Sequence, residues 1–230
     1  MTAKLKDLLS RMKAAADPAQ LAGMAHFGIN TELALGLRVP QIRAFSKEIG
    51  VDHALALALW RTGLHEARIL APMVIDRVRV DDSLMEAWVA DFASWDVCDQ
   101  CCMNLFRRLP GAWAKVEVWA VREEEFVRRA AFTLIAVLAV HEKNEPDARF
   151  IGLLTLVEAY SDDDRNFVKK AVNWALRQIG KRNRDMNAAA IAAAQRLLDR
   201  DTKAARWIAN DALRELQSEK VQARLKTSAS

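Results

Sequence analysis

Chain breakers are scarce in this 230-residue sequence, which holds only 8 Gly and 5 Pro, about half the usual share of either. A β-sandwich or barrel needs a turn signal about every 8–12 residues, and the sequence does not supply them. Tyrosine occurs once and cysteine three times. The cysteines are clustered as Cys98, Cys101 and Cys102, an odd set that fits reduced thiols and excludes a disulfide framework. Cys98-Asp99-Gln100-Cys101 has C-x-x-C spacing but neither a βαβ context nor a second ligand pair. Buried structural thiols are therefore expected over redox or metal roles. His26, His53, His65 and His141 are scattered without ligand spacing and read as surface or packing residues. No metal or cofactor is expected. No apolar run approaches the ~18 residues of a membrane span, so no membrane partner is expected. The opening Met1-Thr2-Ala3-Lys4-Leu5-Lys6 lacks the apolar stretch of a secretory signal, which suggests a cytoplasmic protein.

What is abundant is helix former. Alanine alone accounts for 40 residues, and hydrophobic residues for 52%. An all-α chain with a large core follows, and disorder or collagen is excluded. Helical periodicity predicts helices near 2–15, 18–27, 40–49, 52–61, 65–79, 82–92, 95–108, 112–119, 123–140, 147–160, 165–181, 185–199 and 202–217. Asp17 before Pro18, and Ser94 before Trp95 and Asp96, read as N-caps. Glu123, Glu124 and Glu125 put negative charge at a helix start. Pro72 predicts a kink or break. No Gly/Ser-rich linker interrupts the chain, so residues 1–225 read as one domain, with a frayed tail at 226–230. Short helices in serial antiparallel pairs at a period near 30–40 residues favour an α-solenoid over a compact bundle.

The net charge of +4 is unevenly spread. Residues 1–80 carry +4, residues 81–150 carry −5 and residues 151–230 carry +5. From Arg165 to Arg184 there are seven basic residues and no acidic one. A solvated helix face usually mixes signs. Lys170, Trp174, Arg177 and Lys181 fall at i, i+4, i+7 and i+11, on one helix face. Cations that neutralise phosphates, around an indole that can lie against a sugar or base, suit a nucleic acid. The same Trp174 could instead tuck under the stems of its basic neighbours.

A second constellation is Ser94-Trp95-Asp96-Val97-Cys98-Asp99. Trp95 and Asp99 are i,i+4 neighbours, and an indole face beside a carboxylate suits a cation. The plainer reading is a Trp packed at a helix end with a solvated Asp. Asp96, in the first turn, reads as a capping or dipole residue. In Phe126-Val127-Arg128-Arg129-Ala130-Ala131-Phe132, one arginine could face a ligand, or both could pair with Glu124 and Glu125 on the surface.

Taken together, Trp-Asp-x-x-Asp opening a helix at Trp95, Arg129-Ala130-Ala131 and Lys170-Ala171-x-x-Trp174-x-Leu176-Arg177 resemble the AlkD-like DNA alkylation repair glycosylases. Met24-Ala25-His26-Phe27-Gly28-Ile29, Leu35-Gly36-Leu37-Arg38-Val39-Pro40, Leu59-Trp60 and His65-Glu66-Ala67-Arg68 are similar to that family's N-terminal part. The resemblance runs from about residue 5 to residue 200 and implies a solenoid of HEAT-like helix pairs with a basic concave face. It implies removal of cationic N3- or N7-alkylated purines from duplex DNA, without base flipping. By that resemblance Asp99 is the catalytic carboxylate, Trp95 and Trp174 border the lesion's sugar and backbone, and Arg129 holds a phosphate. Lys170, Arg177, Lys181, Phe27 and Arg38 complete the DNA-binding set. Phe27 stands where a relative can have Tyr, and Ser94 where a second Trp can precede the motif.

The chemistry agrees with the residue types. An alkylated purine is already a good leaving group, and positive charge develops on the sugar as the bond breaks. A carboxylate and aromatic faces would stabilise that charge, with Asp99 also positioning or deprotonating water. Nothing marks a Schiff-base lysine, so hydrolysis without strand cleavage is expected, from a monomer without an obligate protein partner. The alternative is a non-catalytic HEAT-like nucleic-acid-binding or scaffold protein.

Overall fold

The computed structural model describes residues 2–227. Among the described residues there are fourteen α-helices and three short 3-10 segments, and no strand. The helices are α1 (Ala3–Ala14), α2 (Leu21–His26), α3 (Val39–Ile49), α4 (His53–Arg61), α5 (His65–Val74), α6 (Asp82–Ala90) and α7 (Trp95–Asn104). They continue as α8 (Ala112–Ala120), α9 (Glu125–His141), α10 (Asp147–Ala159), α11 (Asn166–Gly180), α12 (Arg184–Leu198), α13 (Lys203–Leu216) and α14 (Glu219–Thr227). None is long and apolar enough to cross a membrane.

The expected helices are all present. Several of their starts are set by side chains that accept orphan first-turn N–H groups. Asp52 accepts from Leu55 N–H at 2.9 Å, Asp81 from Leu84 at 2.8 Å and Asn183 from Met186 at 2.9 Å. Asp17 does the same for Ala19 at 3.1 Å, with Pro18 opening a 3-10 turn. Two expected helices are shorter and end in 3-10 segments, at Arg77–Arg79 after α5 and at Phe106–Arg108 after α7. Pro72 lies within α5, which ends two residues later at Val74. Helix α14 was not foreseen: Ser218 Oγ accepts from Val221 N–H at 3.4 Å, and Val221 and Leu225, one turn apart, are buried. The expected frayed tail begins inside α14, and residues 228–230 lie outside the described residues.

The chain divides into two compact units, up to Pro110 and from Gly111. In the first, α5 packs on α3, α4 and α7. Trp60 stacks on Trp88 with centroids 4.1 Å apart and planes 2° from parallel, and its Nε1 donates to Asp91 at 2.8 Å. The irregular segment between α2 and α3 is pinned by a fully buried carboxylate. Glu66 Oε1 accepts N–H bonds from Leu35 (2.9 Å), Gly36 (2.8 Å) and Leu37 (3.2 Å). Gly36 has φ +77°, and a Cβ there would lie 2.1 Å from the Asp17 carbonyl oxygen, so only glycine fits.

In the second unit α9 is the central helix, packed along α8 and α11. Its residues from Ala130 to Ala139 are buried without interruption, as an all-round apolar helix must be. Helix α11 is one-sided: Val168, Ala171, Val172, Ala175, Leu176 and Ile179 are buried, and it also packs on α12 and α13. Arg182 follows α11, buries its side chain and donates to the carbonyls of Ala139, Glu142 and Glu145.

Candidate functional site

In the first unit the candidate residues gather at the start of α7. Trp95 and Asp99 are both half-buried, one turn apart on the same helix. The indole Nε1 of Trp95 donates to the Phe27 carbonyl at 3.1 Å. Phe27 is 64% exposed at the end of α2, and its ring meets His26 edge-on at 5.3 Å. The Trp95 indole thus reaches the backbone at the end of α2, and a carboxylate, Asp99, follows one turn on along α7. Cys98, Cys101 and Cys102 lie fully buried, and burial pushes the thiols of Cys101 and Cys102 well above their ordinary range. Among the described residues no group of His, Cys, Asp or Glu could hold a metal ion. Arg38 is exposed at the start of α3, where its Nε donates to Gln20 at 3.3 Å.

The start of α7 is built differently from the expected Ser94 cap. Ser94 makes no side-chain bond to the first-turn amides, and its hydroxyl donates to Asp96 Oδ1. Turned toward that carboxylate, the hydroxyl oxygen no longer accepts a first-turn N–H, and Asp96 takes one instead. Asp96 also accepts from Val97 N–H at 2.9 Å and meets His65 Nε2 at 2.8 Å. Burial works to raise the Asp96 carboxyl's pKa, but His65, Ser94 and the Val97 amide outweigh it and hold it below the ordinary value. His65, 7% exposed, is therefore a buried partner of Asp96 and no mere packing residue. No i,i+3 or i,i+4 relation links residues 65 and 96, so sequence spacing gave no sign of the pair.

In the second unit Arg129 on α9 is 5% exposed, and its Nη1 donates to the Phe167 carbonyl at 2.7 Å, at the start of α11. Its neighbour Arg128 does not take the surface pairing with Glu124 or Glu125. It meets Asp163 at 2.8 Å, donates to the Ala120 carbonyl at 2.9 Å and covers the Tyr160 ring. The pairing is tertiary because Arg128 faces the loop before α11 and not along its own helix. Lys170 is exposed and makes no ion pair among the described residues. Trp174 is half-buried, and its Nε1 lies 2.9 Å from the Gln178 side-chain amide, whose oxygen accepts with the amide turned to face it. Arg177 meets Glu215 at 2.5 Å and Asp211 at 3.5 Å, and Lys181 Nζ donates to Glu215 at 2.6 Å. Burial works to raise the Glu215 carboxyl, yet Lys181 and Arg177 hold it below its ordinary value.

The carboxylate-free stretch 165–184 is thus partly neutralised in three dimensions. Helix α13 supplies Asp211 and Glu215, Arg165 pairs with Asp163 at 2.5 Å, and Lys169 covers the Trp207 ring at 5.2 Å. Lys170 and Arg184 are left exposed. Phe27, Arg38, Trp95 and Asp99 belong to the first unit, and Arg129, Lys170, Trp174, Arg177 and Lys181 to the second.

The model of a family described as "DNA alkylation repair enzyme" matches residues 8–216. Among solved structures, one described as "a new family of proteins related to the HEAT-like repeat DNA glycosylases with affinity for branched DNA structures" superposes with a TM-score of 0.81. It is 17% identical, and the match covers 96% of this chain and 95% of that one. That likeness shows the fold, all-α and HEAT-like, as the helix pairs suggested. A designed armadillo repeat protein matches 76% of this chain and 92% of its own at 17% identity, with a TM-score of only 0.37. A search of the curated proteins returned no match. With the family model spanning nearly all of both units, the chain belongs to the DNA alkylation repair enzyme family.

Proposed function

We propose that this chain is a monofunctional DNA glycosylase that hydrolyses the N-glycosidic bond of cationic N3- or N7-alkylated purines in duplex DNA. The observation that carries the reading is the start of α7, where the half-buried Trp95 and Asp99 stand one turn apart with Phe27 tethered to the indole. The leaving base is cationic before the bond breaks and neutral after it, so it needs no acid. The charge moves to the sugar, and an anion beside an aromatic face stabilises it more in the transition state than in the ground state. Asp99 supplies that field and orients or deprotonates the attacking water, while Trp95 and Trp174 exclude solvent along the deoxyribose.

Arg129, Lys170, Arg177, Lys181 and Arg38 hold phosphates in this reading, and Phe27 lies against the duplex. Lys170 contributes a full charge, whereas Arg177 and Lys181 share theirs with Glu215. The enzyme acts as a monomer, without a cofactor, and leaves the strand intact. The test is release of 7-methylguanine from methylated duplex DNA by the wild type and by Asp99→Asn. The substitution should slow release about 100- to 1000-fold while DNA affinity stays nearly constant. Binding of duplex or branched DNA by the wild type without base release would sink the reading in favour of a binding module.

A further inference from the structure

We propose that His65 and Asp96 are positioning residues that set the angle at which α7 presents Trp95 and Asp99. The inference rests on the reading that those two residues carry base release. Asp96 lies between them in the sequence, and its carboxylate joins α7 to α5. It accepts from Ser94 Oγ and Val97 N–H on α7 itself and meets His65 Nε2, at 2.8 Å, on the first turn of α5. The His65 backbone is in turn tied to the segment behind it, because its amide N–H donates to the Leu33 carbonyl at 2.8 Å. The segment containing Leu33 runs on to Leu35–Leu37, whose amides Glu66 holds, and begins just after Phe27, whose carbonyl takes the Trp95 indole N–H. The polar contacts therefore form a closed circuit from α5 through the segment 27–37 to Trp95 and back through Asp96.

The N-terminal end of α7 also borders open space. A cavity of about 240 Å³ opens beside it, lined by Ser94, Ala93 and Val97 on one side and by His65, Arg68 and Asn30 on the other. Ser94 and Val97 are buried on their other sides, and dispersion contributes little across the open one. The His65–Asp96 contact joins α5 to α7 beside this cavity. A displacement of the order of 1 Å at a reacting group costs about 100-fold in rate, so a group that holds the helix end in place can act on the chemistry without touching substrate.

His65→Phe keeps a ring and removes the donor, and His65→Gln restores an N–H on a flexible stem. His65→Phe should lower the single-turnover rate of 7-methylguanine release about 10- to 100-fold and leave DNA affinity within about twofold, a loss in kcat and not in KM. His65→Gln should recover most of the rate. The Trp95 indole N–H resonance, assigned by its loss in Trp95→Phe, should move in His65→Phe and return in His65→Gln. An unchanged rate in His65→Phe, or a loss that His65→Gln does not rescue, overturns the proposal. If the wild type releases no base, the glycosylase reading has failed, and the resonance alone decides: one that does not move overturns the pair.

Discussion

Helices α7 and α11 each carry one of the tryptophans proposed to meet DNA, yet the molecule holds them in opposite ways. α7 has two carboxylates and no basic residue. Its start is fixed by a buried histidine, a serine and backbone amides, with Glu66 pinning the segment beside it. α11 presents basic residues and no acid, and the charges at its C-terminal end, Arg177 and Lys181, are met by the carboxylates of α13. In the first case polar groups define a geometry. In the second they offset a field. A charge run along one helix therefore does not measure the potential at its surface, because a neighbouring helix can return the missing sign.

The largest effect should come from breaking the pins of the first unit. Glu66→Ala leaves the amides of Leu35, Gly36 and Leu37 without their acceptor in a buried place. Each unpaired buried donor costs about 1–3 kcal/mol, reduced where water can enter the space vacated. A loss of about 3 kcal/mol in unfolding free energy is expected by denaturant titration, with base release falling alongside. If Glu66→Ala unfolds at the wild-type midpoint, the first unit is not held as described, and the contrast with α11 collapses. Gly36→Ala tests the same segment from the other side, since its Cβ would meet the Asp17 carbonyl. It should cost about 2–4 kcal/mol from left-handed backbone strain and overpacking.

Much of this was legible in the sequence. The scarcity of Gly and Pro gave an all-α chain, and the 3.6-residue period located every helix except α14, a short C-terminal helix with only two buried apolar contacts. Trp95 and Asp99 share a helix, so their one-turn relation could be read directly. The contact of Trp95 with Phe27 could not, because 68 residues separate them. The same limit hid His65 behind Asp96 and Glu215 behind Arg177 and Lys181. Those partners are chosen by how helices stack, and a single sequence carries no period for contacts 31 to 38 residues apart. Ser94 does stand at a helix start, but its hydroxyl donates to the carboxylate two residues on instead of accepting a first-turn N–H.

A middle-sized effect should follow from freeing the charges of α11. Glu215→Gln removes the carboxylate shared by Arg177 and Lys181 and should tighten binding to undamaged duplex DNA about three- to tenfold at low salt, with a steeper salt dependence. Weaker binding would mean that Glu215 orients the two cations rather than offsetting them. The pH dependence carries the same information. Because the Glu215 carboxyl is held below its ordinary value, its stabilising contribution is whole above about pH 4.3 and is lost as pH falls through the lowered folded value. Acid unfolding of Glu215→Gln should lack that part of the slope.

The smallest effect, and the finest discrimination, lies within the basic stretch itself. Lys170 and Arg184 are exposed without an ion pair among the described residues, whereas Arg177 is matched by Glu215 and Asp211. A phosphate contact made by a free cation releases about one counterion, so its removal should lower the slope of log K against log salt by about 0.9. Lys170→Ala should show that full decrement, with a loss of a few-fold in affinity, and Arg184→Ala will do so if the duplex reaches the start of α12. Arg177→Ala removes a charge that α13 already counters and uncovers Glu215 in the same step. Its slope should change less than that of Lys170→Ala, while its affinity falls further because a carboxylate then faces the phosphates. Equal slopes for Lys170→Ala and Arg177→Ala would mean that the α13 carboxylates turn away when DNA binds, and the contrast between a geometry-setting α7 and a charge-offset α11 would hold only for the free protein.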